Sequence, residues 1–150
     1  MHLDGADTDS ALLGRLRARG WRLSAQRRAV AEALGGRHVH LTADEVHARA
    51  LAILPEVSRA TVYNTLNELV ALGEIGMVTG NGPNRYDPNV DRVHQHLMCL
   101  SCDALLDVVP TGQGHLRLPA DQSHGYRLVD TEIVFRGICP TCAAAPAAPP

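Results

Sequence analysis

The sequence predicts an α+β fold in two parts, an N-terminal winged helix-turn-helix followed by a small α/β unit. Three observations predict it. Four amphipathic segments between residues 10 and 73 each carry helix start and stop signals, and a hairpin signal follows them. From residue 94 the apolar period then falls from 3.6 towards two, in a stretch framed by two Cys-x-x-Cys pairs. A chain of 150 residues makes one ordinary domain or two small ones. Its 45% apolar and 20% charged composition is that of a globular protein, which excludes a disordered chain. No run approaches the roughly 18 apolar residues of a membrane span, and the acidic, polar start is unlike a secretory signal, so a cytoplasmic location without a membrane partner is expected.

The elements follow in order. Residues 1–9 form a flexible N-terminus, and Ser10 caps a first helix whose inner face is Leu12, Leu13 and Leu16 and whose stop is Gly20. Ser24 caps a second helix over 25–34, ended by Gly35-Gly36. Thr42, with Glu45 three residues on, is a capping box for a third helix that Pro55 closes. A fourth begins at Ser58 or Arg59, buries Val62, Leu66, Leu69, Val70 and Leu72, and stops at Gly73. Extended stretches at 75–79 and 85–87 flank the turn Gly80-Asn81-Gly82-Pro83 and complete the wing of a domain over 10–88. Residues 89–93 read as a hinge. Strands are expected at 105–109 and 126–138, the latter from Leu128, Ile133, Val134 and Phe135, while Gly112, Gly114 and Pro119 leave room for only a short helix between them. The second domain thus spans 94–142, and the Ala/Pro-rich 143–150 is a disordered tail.

The net charge of -2 implies no partner, but its distribution does. All 14 basic residues are Arg, as coding bias in a GC-rich genome would produce. Residues 10–80 hold nine Arg against six acids, and six of those Arg lie between Arg15 and Arg28 without one acid. Such a cluster is either a solvated helical face or a phosphate-binding one. The winged layout, whose last helix enters the major groove, favours phosphate contact.

Two constellations carry metal chemistry. Cys99, Cys102, Cys139 and Cys142 are the only cysteines, and two Cys-x-x-Cys knuckles suit a tetrahedral four-cysteine zinc site. Redox dithiols or disulfides are the alternatives. A cytosolic chain disfavours persistent disulfides, and the βαβ setting of a redox motif is missing. Structural zinc is therefore expected, with its binding energy counting as folding energy. The second set is looser. His94 and His96, at i and i+2, face one side of an extended segment. With His40, Asp87 and Asp107 they offer a nitrogen/oxygen set suited to a divalent transition metal. From spacing alone each of these is as readily an ordinary surface or core residue.

Over almost all of 12–142 the sequence resembles the ferric uptake regulator family of metal-dependent repressors. The resemblance is carried by Gly20-x-Arg22-Leu23-Ser24-x-Gln26-Arg27, His40-Leu41-Thr42-Ala43-Asp44-Glu45, Ala60-Thr61-Val62-Tyr63-Asn64-Thr65-Leu66, Arg85-Tyr86-Asp87, His94-x-His96-x-x-Cys99-x-x-Cys102 and Gly137-x-Cys139-x-x-Cys142. It implies structural zinc on the four cysteines and a regulatory Fe2+ or Mn2+ on His40, Asp87, His94, His96 and Asp107. Asp107 stands where iron-sensing members usually carry Glu, and Asn64 where they usually carry Arg, so the chain is similar to the peroxide-responsive branch. In that branch iron-bound protein reacts with hydrogen peroxide, the histidines matching His40 and His94 are oxidised, and DNA is released. A further site found in some members is expected to be absent, since the matching positions are Val93, Gln95 and Thr131. The family's dimerisation-domain helix matches Pro110–Ser123, which Gly and Pro interrupt here.

These features point to a homodimeric, metal-dependent repressor of an A/T-rich palindromic operator, responsive to hydrogen peroxide and not an enzyme. Arg15, Arg19, Arg22, Gln26 and Arg27 are expected on the DNA backbone, and Arg59, Thr61, Tyr63 and Asn64 near the bases. The alternative within the class is a metal-uptake regulator of iron, manganese, nickel or zinc without peroxide chemistry. A zinc hydrolase or deaminase is more remote, because no His-x-Glu accompanies Cys139-Pro140-Thr141-Cys142. A zinc-ribbon adaptor for protein partners is the remaining alternative.

Overall fold

The computed structural model describes residues 7–36, 39–90, 94–112 and 116–146. Expectations for residues 1–6, for 91–93 of the hinge, for Gly114 and for 147–150 of the tail lie outside the described residues. The chain divides into two compact units, residues 1–92 and 93–150.

The described residues of the first unit form four helices, α1 (Asp7–Ala18), α2 (Ala25–Ala33), α3 (Ala43–Ile53) and α4 (Arg59–Ala71), and three short strands, β1 (Leu41–Thr42), β2 (Gly76–Val78) and β3 (Arg85–Asp87). The cap residues act as their types require. Ser24 and Ser58 accept from the amides of Arg27 and Thr61, and Thr42 with Glu45 closes a full capping box. α1 starts three residues before Ser10, so Ser10 lies within the helix instead of capping it. Gly73 adopts φ +73, the left-handed conformation that lets the Glu74 amide turn back onto the Leu69 carbonyl and stop α4. Leu16, Val30, Leu34, Val46, Val62, Leu66 and Leu69 are fully buried in a core that all four helices share, and Tyr86 of β3 closes it from the sheet.

The sheet of this unit runs β1-β3-β2, all antiparallel. β1 goes beyond the expected elements. Its two residues are too few to show a period, yet their register, Leu41 opposite Tyr86 and Thr42 opposite Arg85, brings the start of α3 onto the wing.

The second unit is a sheet of order β5-β4-β6 with a short closing helix. β4 (Gln95–Cys99) pairs antiparallel with β5 (Leu105–Val108) and parallel with β6 (Val134–Gly137). The strand expected over 126–138 is confined to 134–137. Tyr126 and Val129 are 82% and 84% exposed, and alternation makes a strand only where one face has something to cover it. Between Pro110 and Ser123 the described residues hold one 3-10 turn at Ala120–Gln122. α5 (Pro140–Ala144) extends into the segment expected to be tail, with Pro140 at its first position and the Cys139 sulfur as its cap.

Candidate metal centres and DNA-reading face

Each Cys pair sits at the end of a strand of one sheet. Cys99 ends β4 opposite Gly137 of β6, so the register delivers both knuckles to the same end. The four sulfurs lie within 4.8 Å of one another, and the Cys102 and Cys139 sulfurs are 3.9 Å apart. Four sulfurs about 2.3 Å from a tetrahedral zinc lie about 3.8 Å from each other, so the spacing fits that ion. It does not fit a disulfide of about 2.05 Å, and all four are free thiols. The amides of Cys139 and Cys142 donate to the sulfurs of Cys99 and Cys139 at 3.3 and 3.4 Å. Backbone hydrogen bonds from Cys139, then Cys102 and Ser101, hold the Cys99 thiol down at about 6. At Cys142 a hydrogen bond from the Ser101 hydroxyl lowers the value. It is outweighed by sharing with the Cys139 and Cys102 thiols, by burial and by Cys99, which together push this thiol up to about 12. Metal binding requires deprotonated sulfurs, and a divalent cation among the four would supply the charge that stabilises them.

The nitrogen and oxygen donors fall into a group in each unit. In the first, the β1–β3 register continued by one residue sets His40 opposite Asp87. His40 Nε2 lies 3.4 Å from Asp87 Oδ2, and both side chains are 4% exposed. Asp87 Oδ1 accepts from the Asn89 amide at 2.8 Å, which fixes the carboxylate plane. In the second unit, Asp107 is directly opposite His96. Asp107 Oδ1 is 3.5 Å from Nε2 of both His94 and His96, and the two rings meet edge to face at 5.0 Å. These separations exceed the roughly 2.7–2.9 Å of a charge-assisted hydrogen bond. They match the roughly 3.4 Å between two donors each about 2.1 Å from one ion. Gln95 has another task, its side-chain oxygen accepting from the Ile133 amide at 3.0 Å.

On the first unit the arginines are more committed than their clustering suggests. Glu74, buried at 6% exposure, receives Arg15 at 2.8 Å and Arg19 at 2.7 Å. Arg27 lies 4.5 Å above the Trp21 ring and bonds Glu68 of α4 at 2.6 Å, and the Trp21 indole N–H donates to the same carboxylate at 2.8 Å. Gln26 is half-buried, Arg22 is exposed, and the Arg22 carbonyl accepts from Arg27. On α4, Thr61 is tied to the Ser58 cap through its amide and hydroxyl, whereas Arg59, Tyr63 and Asn64 are exposed. Arg59 bonds Asp44 at 2.6 Å.

Residues 18–136 match the description of the Ferric uptake regulator family. The chain belongs to this family. Among curated relatives, the transcriptional regulator FurA of Mycobacterium tuberculosis is 32% identical over 130 residues, covering 85% of this chain and 87% of its own. The peroxide-responsive repressor PerR of Staphylococcus aureus is 28% identical over 128 residues, with coverage of 85% and 86%. Among solved structures, a zinc-bound manganese uptake regulator superposes with a TM-score of 0.64 at 26% identity, covering 85% of this chain and 98% of that one. This ferric uptake regulator family member is accordingly a metal-responsive transcriptional regulator rather than an enzyme. Sequence reasoning missed the acids that partner the arginines. Glu68, Glu74 and Asp44 receive the arginines, across 41, 59 and 15 residues of sequence, separations at which no local pattern signals a pair.

Proposed function

We propose that the protein is a cytoplasmic homodimer that represses an A/T-rich palindromic operator while one Fe2+ or Mn2+ ion is held by His40, Asp87, His94, His96 and Asp107, and that hydrogen peroxide ends the repression. The observation that carries this reading is the strand register of each unit, which sets His40 against Asp87 and His96 against Asp107. Ligands drawn from both units make occupancy favour one arrangement of the two, which is a population shift set by differential binding. Zinc on Cys99, Cys102, Cys139 and Cys142 has a structural role, because His96, Met98 and Cys99 are the only buried residues among those described in the second unit. One face of that unit's sheet carries the apolar row Leu106, Leu97 and Phe135, all at least 38% exposed, which supports pairing with a second copy.

Iron bound there supplies a reductant for peroxide beside the imidazoles of His40 and His94. The similarity to PerR and the carboxylate of Asp107 close to both ring nitrogens of the second unit support this signal. A metal-uptake regulator without peroxide chemistry is the second reading, favoured by the similarity to FurA and to the manganese uptake regulator. DNA binding of the iron-loaded and manganese-loaded protein, each with and without peroxide, separates the two. The first reading expects only the iron form to let go, with added oxygen on the peptides containing His40 or His94 by mass spectrometry. Retention of DNA by both forms leaves the metal-uptake reading standing.

A further inference from the structure

A groove of about 330 Å3 opens on the first unit between the start of α3 (Thr42, Ala43, Asp44), Tyr63 of α4 and the wing residues Gly82, Pro83 and Asn84. An acid on this rim is out of place if the face meets phosphates, because it repels them. Asp44 also does not cap its own helix, since Thr42 and Glu45 make both bonds of the capping box. Its carboxylate Oδ1 instead accepts from Nη1 of Arg59 at 2.6 Å. Both side chains are nearly two-thirds exposed, and such a surface pair adds almost nothing to stability. What it does is geometric. Arg59 is the first residue of α4, the end of a recognition helix that meets base edges. A guanidinium has five N–H donors in one plane, so a carboxylate on one edge fixes that plane and leaves another edge for a two-pronged contact.

We infer that Asp44 is a positioning residue for sequence readout, holding Arg59 so that its remaining edge meets a guanine O6 and N7 at one base pair of each half-site. This rests on the DNA-binding reading above. The test uses the full-length, manganese-loaded protein and a pool of randomised 30-base-pair duplexes, from which bound sequences are selected and counted. Wild type is expected to enrich a motif with guanine at one position per half-site. Asp44→Asn and Arg59→Gln are each expected to lower that preference by about tenfold while other positions hold, the size of one lost bidentate base contact. The double variant is expected to add nothing further, and Asp44→Glu to restore part of the preference. Thermal melting of Asp44→Asn should match wild type, which excludes a folding cause. An unchanged preference in either single variant overturns the inference. So does a uniform change in affinity for every duplex, which would assign Arg59 to phosphate. A wild type that enriches no motif overturns the DNA reading itself, and this inference with it.

Discussion

Glu74 shows how a single buried carboxylate organises the N-terminal unit: it clamps Arg15 of α1, and Arg19 just past that helix, to the segment that leads into the wing. Removing it leaves two guanidinium groups without that partner, so Glu74→Ala is expected to lower unfolding free energy by about 1–3 kcal/mol, read from urea titration. The donors proposed for the regulatory metal have the opposite profile. His40→Ala and Asp107→Ala are expected to abolish manganese-dependent DNA binding in a mobility-shift assay while zinc content and melting temperature stay as in wild type. Zinc retained but DNA binding intact in both variants would sink the shared-ion reading. At this scale the four cysteines were legible because Cys-x-x-Cys spacing is itself the geometry of a knuckle. The histidines and aspartates were legible only through the family resemblance, since His40 and Asp87 meet by strand register between segments far apart in the chain.

Among the elements, α3 ties several roles together. Its capping box begins at the strand that brings His40 to Asp87, and its next residue, Ala43, enters the core. Thr42→Ala is expected to cost about 0.5–2 kcal/mol through the lost cap. Leu66→Ala, in the fully buried stripe of α4, is expected to cost about 2–5 kcal/mol. Both are checked by denaturant unfolding of the manganese-free protein. The helix limits were largely readable because Ser24, Thr42 and Ser58 cap where polar side chains precede apolar periods. Strand limits were less so. Tyr126 and Leu128 flank polar Arg127 at the spacing of a strand, but pairing is decided by what covers a face, and in a single chain these side chains are exposed.

For the whole molecule, the two units differ in what stabilises them. The first buries a helical core of its own, whereas among the described residues of the second only His96, Met98 and Cys99 are buried. Cys139→Ser, or prolonged exposure to a strong zinc chelator, is expected to unfold the second unit and abolish self-association in sedimentation. Most helical circular dichroism should survive, because α1 to α4 lie outside that unit. If self-association and folding persist without zinc, the four-cysteine set is not structural. The two-part division was readable from the change of apolar period after residue 93, while the contrast in core size was not, because burial depends on partners that composition does not specify.

The parallel pairing of β4 with β6 carries a consequence for birth rather than for regulation. Cys102 and Cys139 are 37 positions apart, so a ribosome adding about 5–20 residues per second exposes the first thiol pair for about 2–7 s before its complement arrives. In that interval the nascent chain has every residue of the first unit and only half a clasp. The four-sulfur set is therefore complete only once β6 and the knuckle after it have been made.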